Sequence, residues 1–336
     1  MTDLAAGREV LDGPGNQLWA YTDKPRGWDA WDVAESYPDE GEPITAVEAI
    51  EVAEDGPLRA AVRVRRTWRG SRVDQTYRLL AGSGRLDIVT ELDWHERAVL
   101  LRARFPLAIH THEATFETMY GVVRRPTHRN TSWDQARFEV SGHRFADLSE
   151  AGYGVALLND AKYGFSVEGG VLGISLLRSP RYPDPYADEG PHRFTYSLFP
   201  HTGDWTTGGV VTEALSLNSP LVAVAVTGGG EATAPGDGPA AGSGQAGFVT
   251  LAAGLPLSLG SLKGAEDGDG LILRLHEPHG ARGAVTLRFA TAPASVEVVN
   301  LLEVPVDRED AAPDQSGDTV TLAVRPFEVV TLRLRF

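Results

Sequence analysis

The chain contains no cysteine. Disulfides and Cys-ligated zinc sites are thereby excluded, which agrees with a reducing compartment. Positive charge is also scarce: 31 Lys and Arg stand against 46 Asp and Glu, a net charge of −15. Such a field repels polyanions, so nucleic acid and anionic membrane surfaces are poor partners, while neutral ligands such as sugars are indifferent to it. No apolar run approaches the roughly 20 residues of a membrane-crossing helix. The opening MTDLAAGREVLDGPGNQLW lacks a charged stretch followed by an apolar one, so no secretory signal is expected and a cytoplasmic location is. Several catalytic signatures are missing as well. There is no GxSxG elbow, no P-loop and no GxGxxG following a strand.

Long helical periodicity is absent too, and what replaces it is alternation with period two. Arg59–Trp68, Arg72–Leu80 and Leu86–Trp94 read as strands, joined by the Gly-bearing turns Arg69-Gly70-Ser71 and Ala81-Gly82-Ser83-Gly84. Further strands are expected at 98–105, 114–123, 137–140, 154–158, 173–177, 193–198 and 221–226, with a short helical turn at Val210–Leu217. The pattern predicts an all-β fold built as an antiparallel sandwich over residues 1–226. Between Thr227 and Gly247 the composition shifts to Gly, Ala and Pro, as in a linker or loop. Residues 248–336 then carry short strands at 248–251, 271–275, 284–289, 295–300, 319–324 and 328–334, which suits a small C-terminal β-sandwich. One continuous sandwich with an insertion fits the same pattern.

Two segments are crowded with side chains that chemistry uses. Tyr120–Phe165 holds Arg124, Arg125, His128, Arg129, Asn130, Trp133, Asp134, Arg137, Glu139, His143 and Asp147. Tyr21–Asp32 holds Trp28 and Trp31 among Asp23, Arg26, Asp29 and Asp32. Flat rings to stack on, next to carboxylates and amides that accept or donate to hydroxyls, are what a sugar-facing surface needs. A salt-bridged surface loop, or tryptophans plugging the end of the sandwich, would show the same composition. A glycosidase needs two carboxylates across one pocket. Asp29, Asp32, Asp134, Glu139, Asp147, Asp160, Asp184 and Glu277 are candidates, but no spacing selects a pair. His110 and His112 lie two apart, a metal half-site or an ordinary pair on an edge strand. His276-Glu277-Pro278-His279 has the wrong spacing for a helical zincin, and Pro278 would break the helix.

Four phrases carry a resemblance to a known family: GNQLWAYTDKPRGWDAWDV (15–33), RRPTHRNTSWDQARFEVSGHRFADLSE (124–150), YGVALLNDAKYGFSVEGGVLGISLLRSPRYPDP (153–185) and HRFTYSLFPHTGDW (192–205). With the weaker LILRLHEPHG and PFEVVTLRLRF, they resemble the C-terminal β-region of glycoside hydrolase family 38, the α-mannosidases, in its cytosolic branch. The resemblance implies a galactose-mutarotase-like β-supersandwich followed by a small sandwich. It implies α-mannoside, or another neutral carbohydrate, as the ligand. It also implies a retaining, zinc-dependent enzyme whose nucleophile, acid and metal ligands lie on an N-terminal barrel, with a His-x-Asp pair among the ligands. None of the nine histidines here is followed by x-Asp. The expectation is therefore a chain with no catalytic residue and no metal of its own, working with that barrel in cis or in trans. By position in these motifs, Trp28, Asp29, Trp31, Asn130, Trp133, Asp134, Glu139 and His143 are the expected barrel-facing, substrate-binding residues, with Arg178 and Asp184 behind them. Two rival readings are a stand-alone carbohydrate-binding module and a mutarotase-like sugar epimerase using Glu139 with His143 as acid and base.

Overall fold

The computed structural model of the chain describes residues 1–222, 247–306 and 312–336, and it divides into two compact units, Met1–Leu221 and Val222–Phe336. From Ala223 onward, the expected strand at 221–226 and nearly all of the expected linker at 227–247 lie outside the described residues.

In the first unit the alternating segments pair antiparallel throughout. Arg59–Trp68, Ser71–Leu80 and Leu86–Trp94 form a meander, and Gly190–Thr202 pairs along the last of them. Tyr153–Asn159, Phe145–Glu150, Glu113–Thr118 and Gly121–Pro126 extend the sheet to one side and Val47–Asp55 to the other, giving nine strands. A six-stranded sheet runs in the order Val140–Ser141, Gly164–Glu168, Val171–Leu177, Val99–Pro106, Gln17–Thr22 and Gly41–Pro43. Alternate residues of both sheets meet in one core that includes Ile88, Trp94, Leu101, Phe105, Phe116, Leu157, Phe165, Ile174 and Tyr196. A polar knot sits inside this apolar layer. Asn16, held at φ 50°, donates to Gln75 (2.9 Å) and Tyr77 (2.6 Å), and Gln75 and Tyr196 complete the ring. Every member is satisfied, so the knot fixes one register where an unsatisfied group would be costly.

Helix Val210–Asn218 covers the far side of the nine-stranded sheet, packing Val210, Val211 and Ala214 on Phe145, Ala156 and Leu158. Beneath it the buried His201 Nε2 lies 2.8 Å from Asp147, whose other oxygen accepts from Ser149 Oγ at 2.5 Å. Asp147 is thus a core anchor. Asp160 and Asp184, two more of the candidate carboxylates, accept backbone N–H groups of Thr195 and Tyr186 at turns.

Two strand expectations are corrected, and one long strand was not expected. Residues 114–123 form a hairpin of Glu113–Thr118 and Gly121–Pro126. Its turn is masked in the sequence because Tyr120 takes φ 55° without being glycine. Of 137–140 only Val140 is extended, in the two-residue strand Val140–Ser141. The preceding segment forms the short helix Ser132–Gln135, nucleated by a capping box between Thr131 and Asp134. Strand Val47–Asp55 went unread because bulges near Val47/Ala49 and Val52/Glu54 break its alternation.

The second unit has two four-stranded antiparallel sheets, Val249–Gly254 with Gly283–Phe289, Thr319–Val324 and Asp314–Ser316, and Ser258–Gly264 with Leu271–His276, Val329–Arg335 and Ser295–Val299. Leu273, Val285, Leu287, Phe289, Val320, Leu322, Leu332 and Leu334 fill the space between them. Glu277, fully buried, accepts the backbone N–H groups of His279, Gly280, Ala281 and Phe327 at 2.7–3.0 Å. It staples two loops together.

Candidate functional site

The six-stranded sheet has an unusual second face. Leu101, Ala103, Phe105, Leu172 and Ile174 point into the core, so the alternate positions Arg102, Arg104, Gly173 and Ser175 point away from it. On the neighbouring strand Trp19 and Tyr21 share that outer side, and their rings stack at 5.7 Å. The loops 23–40 and 127–140, which contain Asp23–Asp32 of one cluster singled out in the sequence and His128–Glu139 of the other, fold over this face.

Glu139 lies under that cover. Tyr37 donates to its Oε1 at 3.0 Å, Ser175 to its Oε2 at 3.2 Å, and Arg102 forms an ion pair with Oε1. Arg102 is 3% exposed and also donates to Ser166 at 2.8 Å and to the Tyr37 hydroxyl. Burial pushes the Glu139 carboxyl above the ordinary range, against the opposing pull of Arg102 and the hydrogen bonds from Tyr37 and Ser175. Burial likewise raises the Tyr37 hydroxyl. Gly173 makes this possible, because a Cβ there would sit 2.8 Å from Arg102 Nη2.

The Trp28–Trp31 loop is held by its polar residues. Arg178 binds Asp23 at 2.6 Å and the Asp29 carbonyl at 2.7 Å, and also reaches the Asp32 carbonyl. The Asp29 carboxylate receives the N–H groups of Arg181 (2.7 Å) and Tyr182 (3.0 Å) from the 179–188 loop. With the loop pinned, Trp28, Trp31 and Tyr182 form an aromatic triad with centroids 5.5–6.5 Å apart. Its rings are 66%, 66% and 54% exposed, although ordinary packing would bury them.

The other cluster divides. Asp134 is committed to the capping box, accepting from Thr131 Oγ1 at 2.7 Å, and that hydrogen bond holds its carboxyl below the usual range. Trp133 on the same helix is 76% exposed, and Asn130 is exposed beside it. The His143 ring meets Tyr163 edge-on at 5.9 Å while the Glu139 oxygens are engaged by Arg102, Tyr37 and Ser175. The structure therefore gives no acid–base pairing of Glu139 with His143.

Two clefts result. One, of about 1070 Å³, opens between Arg26, Asp32–Ser36, Pro38 and Asp39 on one wall and Arg129, Gln135 and Phe138 on the other, and none of the eight expected substrate-binding residues lines it. A second, of about 600 Å³, is lined by Trp31, Glu139, Tyr163, Arg178 and His192. Rings, guanidinium groups and carboxylates around open clefts can stack on a sugar and bind its hydroxyls. Tyr37 and Arg102 were missed by sequence reading. A signal for Arg102 existed: in Val99-Leu-Leu-Arg-Ala-Arg-Phe105 two arginines interrupt a buried strand at alternate positions.

Among the described residues, no three His, Asp or Glu side chains are grouped to hold a metal ion. His110 and His112 do place their rings 5.6 Å apart, but without a third donor. The zinc implied by the family resemblance thus finds no ligand set in these residues.

The Glycosyl hydrolases family 38 C-terminal domain matches residues 1–186, and that family's C-terminal beta sandwich domain matches residues 257–332. Alpha-mannosidase 2C1 of Homo sapiens is 37% identical over 98% of this chain. Alpha-mannosidase G of Dictyostelium discoideum is 36% identical over 99%. The chain spans about a third of their length, 31% and 30% respectively. The crystal structure of an alpha-mannosidase from Enterococcus faecalis V583 superposes with a TM-score of 0.76 at 18% identity, covering 99% of this chain and 40% of that one, a likeness of fold.

Proposed function

The chain belongs to glycosyl hydrolase family 38 and carries its C-terminal domains, and from that premise we propose that it serves as the non-catalytic β-region of a cytoplasmic, zinc-dependent, retaining α-mannosidase. In this reading it walls the mannoside site, while the nucleophile, the acid and the zinc ligands come from residues outside these 336. The observation that carries it is the cleft on the outer side of the six-stranded sheet, where the 23–40 and 127–140 loops face each other. Of the expected residues, Trp31 and Glu139 line the second cleft, the exposed Trp28 and Trp133 would offer ring faces on the loops around the first, and Asp29, Asn130, Asp134 and His143 would shape those loops. Their polar groups are largely engaged in holding loops, which suits positioning rather than proton transfer.

A second feature supports a packed partner domain. Residues paired across the nine-stranded sheet share a face, and the rows Ile50–Val64–Gln75–Thr90 and Val52–Val62–Tyr77–Ile88 run from its edge into the core. At the edge Ile50 is 68% and Val52 70% exposed, an apolar strip of the kind covered in an assembly. The catalytic barrel is the occupant that the family supplies.

These 336 residues alone are expected to release no product from an aryl α-mannoside, and added zinc should leave their melting temperature unchanged. Zinc-dependent turnover by the isolated chain would sink the proposal. Stand-alone sugar binding is favoured by one observation, the exposed Trp28–Trp31–Tyr182 triad. Titration calorimetry with mannose oligosaccharides decides it. Saturable heat that disappears in Trp28→Ala/Trp31→Ala establishes a binding module, and no heat at millimolar ligand leaves the wall role.

A further inference from the structure

A third depression on the outer side of the six-stranded sheet is chemically distinct. It encloses about 450 Å³, within the ~300–1,000 Å³ of small-molecule sites. Arg102, Arg104 and Arg129 converge on it from an otherwise acidic chain of net charge −15. Two of these charges are already answered: Arg102 by Glu139, and Arg129 by Glu168 at 3.5 Å on the rim.

Arg104 is different. Its guanidinium lies 5.4 Å from the Trp19 ring centroid, and its Nη1 donates to the Tyr21 hydroxyl at a long 3.4 Å. Among the described residues it has no carboxylate within ion-pair distance. Trp19 and Tyr21 stack on each other, so the head group is held by a rigid aromatic surface and little ordering entropy remains to be lost on binding. Its partner across the strand pair is Gly173, which contributes no side chain and leaves room for the Arg102 guanidinium and the Ser166 hydroxyl beside it. A fixed, half-buried guanidinium with spare donors is suited to a carboxylate or phosphate. The Ser166 hydroxyl and Glu168 carboxylate at the same pocket would meet sugar hydroxyls.

We propose that this pocket is a binding site for an anionic monosaccharide, its carboxylate or phosphate held by Arg104 beside Trp19 and Tyr21. The site stands whether or not the mannosidase reading holds, since it is assayed by binding to this chain without turnover.

Titrations at low salt would use a hexose 6-phosphate, a hexuronate, inorganic phosphate and the neutral hexose, followed by calorimetry and by tryptophan emission. Saturable binding of at least one of the two anionic sugars is expected, tighter than inorganic phosphate or the neutral hexose. Arg104→Gln should weaken it about tenfold or more, the scale of one charge-assisted hydrogen-bonded contact. Arg193→Gln, at an exposed arginine of the nine-stranded sheet, should leave it unchanged. The far-ultraviolet spectrum of each variant serves as the folding control. Binding by Arg104→Gln equal to that of the parent, equal affinity for the neutral hexose, or inorganic phosphate binding as tightly as either anionic sugar would each overturn the assignment.

Discussion

Arg102→Ala is expected to destabilise the first unit by about 4 kcal/mol at pH 8 and by markedly less at pH 5. The motive is the buried pair: without Arg102, Glu139 keeps only neutral donors, Tyr37 and Ser175, around a carboxylate with little solvent. The pH dependence has a definite sign. Glu139 sits above the ordinary carboxyl range because burial disfavours its charge, and Arg102 is the largest influence pulling it back. A carboxyl raised in the folded state gives stability that is complete below its unfolded pKa and is lost as pH rises through its folded value. Removing Arg102 raises Glu139 further and deepens that loss. At low pH, with Glu139 protonated, the missing counter-charge matters less.

All seven tryptophans lie in the first unit, so urea unfolding followed by tryptophan emission reports on it selectively. A cost independent of pH, or below about 1 kcal/mol at pH 8, would refute the pairing argument. Combining Arg102→Met with Glu139→Gln should cost less than Arg102→Met alone, because the double change leaves no unpaired buried charge.

Glu277→Ala should act on the second unit with comparable size. Its Oε2 accepts the N–H groups of Gly280, Ala281 and Phe327, and its Oε1 that of His279. Losing these acceptors inside two packed loops should cost on the order of 4 kcal/mol, about 1 kcal/mol for each donor left without its partner. For a domain of this size that lowers the melting transition by about 15 °C or more. The second unit contains neither Trp nor Tyr, so scanning calorimetry or amide exchange at Leu322 and Leu332 is the suitable probe, with tryptophan emission as the unmoved reference. Glu277→Gln should fall between, since one oxygen can still serve the three donors at Oε2. A calorimetric trace unchanged by Glu277→Ala would show that solvent satisfies those groups and that the staple is dispensable.

Both positions show what could and could not be seen in advance. Glu277 stood out in the sequence as one of eight candidate carboxylates and in a His-Glu-Pro-His string that fits no metal motif, but not as a staple, because its partners are backbone groups and backbone is invisible to composition. Arg102 was hidden inside an apolar strand, and Glu139 drew attention as a substrate-binding candidate and not as half of a buried ion pair. Their relation depends on the pairing of Val99–Pro106 with Val171–Leu177 and on a loop that lays Tyr37 over them.

The crowding of the 23–40 and 127–140 loops was legible because ring, guanidinium and carboxylate side chains are unusual company in connectors. The division of labour among them was not. Asp29 and Asp134 resemble ligand-binding carboxylates in a sequence, and the fold assigns one to two backbone N–H groups and the other to a helix cap.

The sequence by itself determined the all-β character, the meander from Arg59 to Trp94 and the family, since period-two alternation and long motif phrases are local properties of the chain. Only the tertiary structure decided which carboxylates hold loops, that Arg26 and Asp32 face Arg129 across one cleft, and that no carboxylate among the described residues pairs with Arg104. Those depend on which strands become neighbours. Register across a sheet is set by packing between residues far apart in the chain, and no local spacing encodes it.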